Sequence, residues 1–253
     1  MTLVPTGRME KQALRERVWT ALERAGEARF LFPPHDRIPN FAGSREAADK
    51  LADHPAWTRA DAVKANPDAP QLPARRRALR EGKTVYVAVP RLRDEQPFLE
   101  LDPDRLTAAG VDTDDAATIG GSSDHGVPVH PDEMPPVEFV LSGSVAVTES
   151  GARVGKGEGF ADLEFALLAA FDRVDGDTTV ATTVHPMQVV PDSFVAPDPH
   201  DVALDLVVTP ERVVETGARR DDVGIDWGRL PAEKREAIPV LARRYAARNG
   251  DGE

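Results

Sequence analysis

The chain has 253 residues, 41% of them hydrophobic, and its 43 Asp and Glu against 31 Lys and Arg give a formal charge of −12 at neutral pH. The absence of cysteine excludes disulfides, thiolate nucleophiles and Cys-ligated zinc, and no apolar run approaches the roughly 20 residues that cross a bilayer. The acidic balance argues against nucleic acid as a partner, and only six of the basic residues are Lys, the pattern of a halophile surface in which carboxylates hold hydration at high salt.

Residues 9–25 place Leu14, Val18, Ala21 and Leu22 on one helical face, with charges on the other, and predict an opening amphipathic helix. No secretory apolar stretch precedes it, which predicts a cytoplasmic protein. A loop around Pro33, Pro34 and Pro39 follows, and Ser44 is expected to cap a helix running to about Asp53. Short apolar runs at 61–65, 85–90, 139–144, 179–185 and 204–209 read as buried strands, and 72–81 and 160–171 read as helices between them. Strands apolar on both faces, alternating with helices, imply a mainly parallel sheet covered on both sides. The fold class is therefore α/β. The polar, glycine-containing stretch 110–133 is expected to be a long excursion. A single domain over 1–217 and a helical tail over 218–253, broken near Pro239 and frayed at NGDGE, complete the organisation.

The sharpest local feature is the glycine loop at 151–168, GARVGKGEGFADLEFALL. Gly155, Gly157 and Gly159 permit close backbone approach to a ligand, Arg153 and Lys156 bring positive charge, and a following helix start offers free N–H groups to an anion. The G-x-G-x-G spacing is neither a P-loop nor a dinucleotide fingerprint, so a solvated glycine turn competes evenly with a phosphate site on spacing alone. Lys11 and Arg15 lie one helical turn apart and can share an anion, or simply form a solvated face. Asp162 stands in a first helical turn, where an acid suits the dipole in any case. The six histidines show no H-x-x-x-H or H-E-x-x-H spacing, which argues against zinc. Ser142 and Ser144 lie outside any G-x-S-x-G. Arg75, Arg76 and Arg77 point in different directions and are expected on an exposed amphipathic helix.

RVGKGEGFAD at 153–162 resembles the signature loop of the 5-formyltetrahydrofolate cyclo-ligase family, also called methenyltetrahydrofolate synthetases. KQALR at 11–15, the run from Asp68 to Arg93 and the run from Gln188 to Val214 resemble further family segments in the same order. RIPNF, VKANPD, VPRLR, GSVAV and GKGEGFADLE resemble a branch of it, the methenyltetrahydrofolate synthetase domain-containing proteins. The resemblance implies a three-layer α/β/α fold of the NagB/RpiA/CoA-transferase type. It also implies a ligase of one-carbon metabolism that uses MgATP to phosphorylate the formyl oxygen of 5-formyltetrahydrofolate and closes the ring to 5,10-methenyltetrahydrofolate, acting as a monomer or weak oligomer.

By the same resemblance, Arg153 and Lys156 are the catalytic cations, and Lys11, Arg15, Gly155, Gly157, Glu158, Gly159 and Phe160 bind ATP. Asp162 is associated with Mg²⁺, while Asp68, His200 and Asp201 contact the reduced folate. Two departures bear on activity. Asp68 stands where the family places Glu, one methylene longer, and Phe160-Ala161 replaces a Tyr-Tyr pair. The alternative is a non-catalytic paralogue that binds nucleotide or folate as a regulatory module.

Overall fold

Period-two alternation assigns the strand side chains to two opposite layers. Val63, Val85, Val87, Phe139, Leu141, Ala181, Leu206 and Val208 pack with one set of helices, and Ala62, Tyr86, Ala88, Val140, Val180 and Val207 pack with another. The computed structural model describes residues 8–220 and 224–250. Its strands are β1 (Ala62–Ala65), β2 (Thr84–Ala88), β3 (Phe98–Leu101), β4 (Val127–Val129), β5 (Phe139–Leu141), β6 (Ala146–Val147), β7 (Arg153–Val154), β8 (Thr179–Thr183), β9 (Leu206–Val208) and β10 (Val213–Glu215). The helices are α1 (Lys11–Arg24), α2 (Ser44–Ala52), α3 (Pro55–Arg59), α4 (Leu72–Arg80), α5 (Pro103–Ala108), α6 (Thr113–Ala116), α7 (Ile119–His125), α8 (Phe160–Ala169), α9 (Ala232–Ala237) and α10 (Pro239–Gly250).

Eight strands form the main sheet in the order β10-β9-β8-β5-β1-β2-β3-β4. The five runs expected as buried strands are its parallel centre, β9-β8-β5-β1-β2. The added strands β3, β4 and β10 pair antiparallel, with β4 and β10 at the two edges. They are three or four residues long and partly exposed, too short to register as buried apolar runs. Helices α2, α4 and α6 cover one face through Ala47, Leu51, Ala78, Leu79 and Ala116. Helix α8 covers the other with Leu163, Phe165, Leu167 and Leu168, joined by Ile238, Val240 and Leu241 of the C-terminal segment. The architecture is α/β with helical layers on both faces.

Several local expectations change. The start of α2 is capped by Gly43 in the left-handed region (φ 86°) with no side-chain hydrogen bond, so Ser44 is its first residue, not its cap. A Cβ at Gly43 would meet Pro210 Cγ at 2.5 Å, so the close approach as well as the φ requires glycine. The stretch 110–133 is packed structure, not an excursion. It forms α6, α7 and the edge strand β4, with Ala116 and Ala117 fully buried. Two of its glycines are places of contact: a Cβ at Gly121 would fall 2.0 Å from the Asp115 carbonyl oxygen and one at Gly126 2.4 Å from that of Ser122, whereas Gly110 and Gly120 face open space. The tail breaks at Pro239 as expected, and Asn249 and Gly250 close α10. The remainder of the expected frayed end, 251–253, lies outside the described residues.

A third apolar cluster joins α1 to the β6–β7 hairpin through Leu14, Val18, Trp19, Leu22, Ala146 and Val154. Strand β7 runs directly into the glycine loop. Helix α1 therefore supports that loop from outside the main sheet.

Candidate active site

In an open sheet with parallel strands, ligands collect where neighbouring strands send their connections to opposite sides. Here the order reverses between β1 and β5. A cavity of about 390 Å³ opens at their C-terminal ends, lined by Asn66-Pro67-Asp68 after β1, Val89-Pro90-Arg91 after β2, Gly143 after β5, and residues 158–162 and Glu164 at the start of α8. Ile119, Ser122 and Ser123 of α7 form another wall.

One side of the cavity is the glycine loop. Gly159, left-handed at φ 69°, is the N-cap of α8 and supplies no side chain to the first-turn N–H groups. Gly157 has φ 109°, and the guanidinium of Arg15 stands 3.3 Å from where its Cβ would be. Arg15 also donates from Nε to the Gly155 carbonyl at 2.7 Å. Lys156 is exposed at the lip and pairs with Glu158 at 2.8 Å. Beneath the loop, buried Arg153 donates to the Gly143 carbonyl at 3.0 Å and to both oxygens of Asp162 at 2.6 Å. The Val202 N–H adds a third bond to Asp162 at 3.1 Å. Burial alone would raise the Asp162 pKa, but the charge and hydrogen bonds of Arg153 outweigh it and hold the carboxyl below its usual range.

The opposite side carries Asp68, whose carboxylate makes no hydrogen bond among the described residues. Burial pushes its pKa up, the charge of Glu164 adds to that, and Lys156 partly offsets it. The loop bearing Asp68 is pinned from behind by Arg75. That guanidinium donates to the carbonyls of Asn66, Pro67, Asp68 and Ala117 at 2.6–3.1 Å. Arg75 is 2% exposed and burial pushes its pKa down to about 10. The expectation of three exposed arginines is therefore corrected at this position. A 100° step per residue turns Arg75 inward while Arg76 and Arg77 bond to Asp114 and Glu81 nearer the surface.

Between the two sides lies a buried polar group that the sequence reading missed. Lys64 of β1 and Glu164 of α8 form an ion pair, and Asn66 Nδ2 donates to the same Glu164 oxygen at 2.9 Å. Asn66 Oδ1 in turn accepts from the Gly143 N–H at 2.9 Å. A signal was present: Lys64 is the one charge in the apolar run of β1, Glu164 stands between Leu163 and Phe165 of α8, and the two are opposite in sign.

The structure thus brings together Asp68, Arg153, Gly155, Lys156, Glu158, Gly159, Phe160 and Asp162 around one cavity. It does not bring Lys11 there. The Lys11 ammonium is held by Asp198 at 2.7 Å and Asp201 at 2.6 Å, and those partners outweigh burial and raise its pKa. Lys11 and Arg15 therefore act on different loops. His200 and Asp201 line separate clefts that share only Gly159 and Asp162 with the main cavity. Asp198, His200 and Asp201 cluster closely enough for a cation, and the Lys11 ammonium already supplies that charge.

Residues 8–210 match the family model of the 5-formyltetrahydrofolate cyclo-ligase family. The chain belongs to that family. It is 42% identical over 236 residues to a methenyltetrahydrofolate synthase domain-containing protein of Mus musculus, and 39% identical to the Homo sapiens protein of the same name. Those alignments cover 92% of this chain but 62% and 61% of the relatives, so the chain spans less than two thirds of their length. The solved 5,10-methenyltetrahydrofolate synthetase of Aquifex aeolicus superposes with a TM-score of 0.51 at 18% identity, covering 88% of this chain and all of that one. That likeness shows a fold shared with the Aquifex aeolicus protein.

The loop's open donors fit the phosphates of a nucleotide: glycine backbone, a free helix start and Lys156, with Arg15 and Arg153 bonded to the loop's own carbonyls and to Asp162 around it. Asp162, expected beside Mg²⁺, is held in this arrangement by Arg153 on both oxygens and by the Val202 N–H on one.

Proposed function

We propose that the chain converts 5-formyltetrahydrofolate to 5,10-methenyltetrahydrofolate with hydrolysis of ATP. The observation that carries this reading is the single cavity with an unbonded carboxylate, Asp68, on one side and the glycine loop on the other. A pterin presents amine and ring N–H donors, and in this reading the Asp68 carboxylate accepts them. The charge of the transferring phosphoryl group then falls between Lys156 and the N-terminus of α8, where fixed cations and N–H dipoles stabilise charge as it spreads over the equatorial oxygens. ATP supplies the phosphoryl group to the formyl oxygen, N10 attacks the activated carbon, and phosphate leaves with that oxygen. Arg153 is locked by Asp162 and Gly143 and needs no reorientation to hold the loop above it. Mg²⁺ would travel on the nucleotide phosphates with its waters, a common mode for this ion.

A second reading has its own support. Ala161, where the family has an aromatic ring, lines the cavity and leaves Phe160 as the one ring of that former pair on this wall. A non-catalytic protein that binds nucleotide and folate would tolerate such a wall. Purified full-length protein with MgATP and 5-formyltetrahydrofolate in high KCl separates the two by the absorbance of the methenyl product. Appearance of product supports the ligase. Binding of both ligands without product supports the alternative.

A further inference from the structure

The C-terminal segment lies beyond the family match at 8–210, yet it reaches the glycine loop. Its anchor is apolar: Ile238, Val240 and Leu241 are buried against α8 and the sheet, and Ile225, Trp227 and Leu230 pack partly against the same cluster. Arg235 over the Tyr245 ring at 4.0 Å ties α9 to α10, and Trp227 against that ring at 5.5 Å ties the segment before α9 to α10. From this strap Lys234 donates to the Glu158 carbonyl. Its ammonium stands 4.9 Å from the centroid of the Phe160 ring and 3.5 Å from where a Cβ on Gly159 would lie. No carboxylate pairs with it among the described residues, although the chain is strongly acidic and has six lysines. The loop residues it touches, 158–160, are those that open α8.

We infer that Lys234 is a positioning residue for anion binding, clamping residues 158–160 from behind so that the loop meets a polyphosphate in one arrangement. This inference rests on the nucleotide reading of the loop. An ammonium over Phe160 and on the Glu158 carbonyl fixes both flanks of Gly159, a residue whose left-handed backbone is otherwise free to move. Its charge also adds to the positive end of α8.

The test compares wild type, Lys234→Met and Lys234→Arg, all full length. Two readouts are used: amide hydrogen exchange of residues 155–160 without ligand, and dissociation constants for MgATP and 5-formyltetrahydrofolate. Lys234→Met should speed exchange of 155–160 severalfold and weaken MgATP by about tenfold, the loss of one charge-assisted contact, with folate affinity held within about twofold. Lys234→Arg should restore most of both. Unchanged exchange in Lys234→Met would overturn the clamp, and faster exchange with unchanged MgATP affinity would overturn its link to the ligand. A wild type that binds no MgATP would sink the proposed function instead, and the exchange comparison then decides the clamp alone.

Discussion

Arg153 and Asp162 form a closed unit, the arginine Nη2 standing 2.6 Å from each carboxylate oxygen while its Nη1 bonds the Gly143 carbonyl at 3.0 Å. Strand β7, the start of α8 and the end of β5 are joined at that point, so the cavity floor and the glycine loop share one ionic anchor.

Asp162→Asn keeps the shape and removes the charge, leaving Arg153 buried without a counter-ion. Breaking a buried pair in this way costs about 3–5 kcal/mol, to be read from urea unfolding at neutral pH. Because the folded Asp162 pKa lies below its ordinary 3.8, the unfolded chain binds more protons in the window between the two values. The stabilisation is full above 3.8 and is lost as pH falls through the folded value, so the two proteins should converge in acid.

Asp68 shows the opposite sign. Its folded pKa lies above the ordinary 3.8, with burial as the main cause and Glu164 assisting. The folded state therefore binds more protons, and stability is lost as pH rises from 3.8 through the folded value. Asp68→Asn should melt higher than wild type at pH 7, with the gap closing in acid. The same variant should bind 5-formyltetrahydrofolate at least about tenfold more weakly, since an acceptor for the pterin edge is replaced by a mixed donor and acceptor.

Arg75→Met should destabilise the protein by more than about 3 kcal/mol, because four carbonyls lose their common donor inside the fold. Arg75→Lys should recover little. A lysine ammonium has three donors and no planar fork to span Ala117 and the 66–68 loop together. Thermal unfolding of the two variants beside wild type checks both statements.

For Lys64 and Glu164, each single change to a neutral residue strands a buried charge and should cost about 3–5 kcal/mol. The double variant Lys64→Met with Glu164→Leu should recover most of that loss, falling short of wild type by the acceptor that Asn66 Nδ2 loses. A double-mutant cycle in urea measures the coupling. Loss of folate binding in the stable double variant would mark Glu164, which lines the cavity, as a ligand contact.

What the chain reveals by itself is what neighbouring residues encode. The parallel centre of the sheet is written in apolar runs such as 139–144 and 179–185, and the loop 153–162 carries its glycines, cations and following helix in one stretch. The helical phase of α4 was written there too, though only the fold shows that Arg75 is the arginine facing inward. Contacts between distant segments were not legible. Lys64 meets Glu164 across 100 positions, Lys11 is captured by Asp198 and Asp201 and drawn away from the cavity, and Lys234 approaches the loop from beyond the family match. The stretch 110–133 read as a long excursion because a missing side chain looks the same in sequence whether it faces open space, as at Gly120, or makes room for a neighbour, as at Gly121. Only tertiary packing decides which, since the free energy of a buried charge or a close backbone contact depends on what the rest of the chain brings within a few ångströms of it.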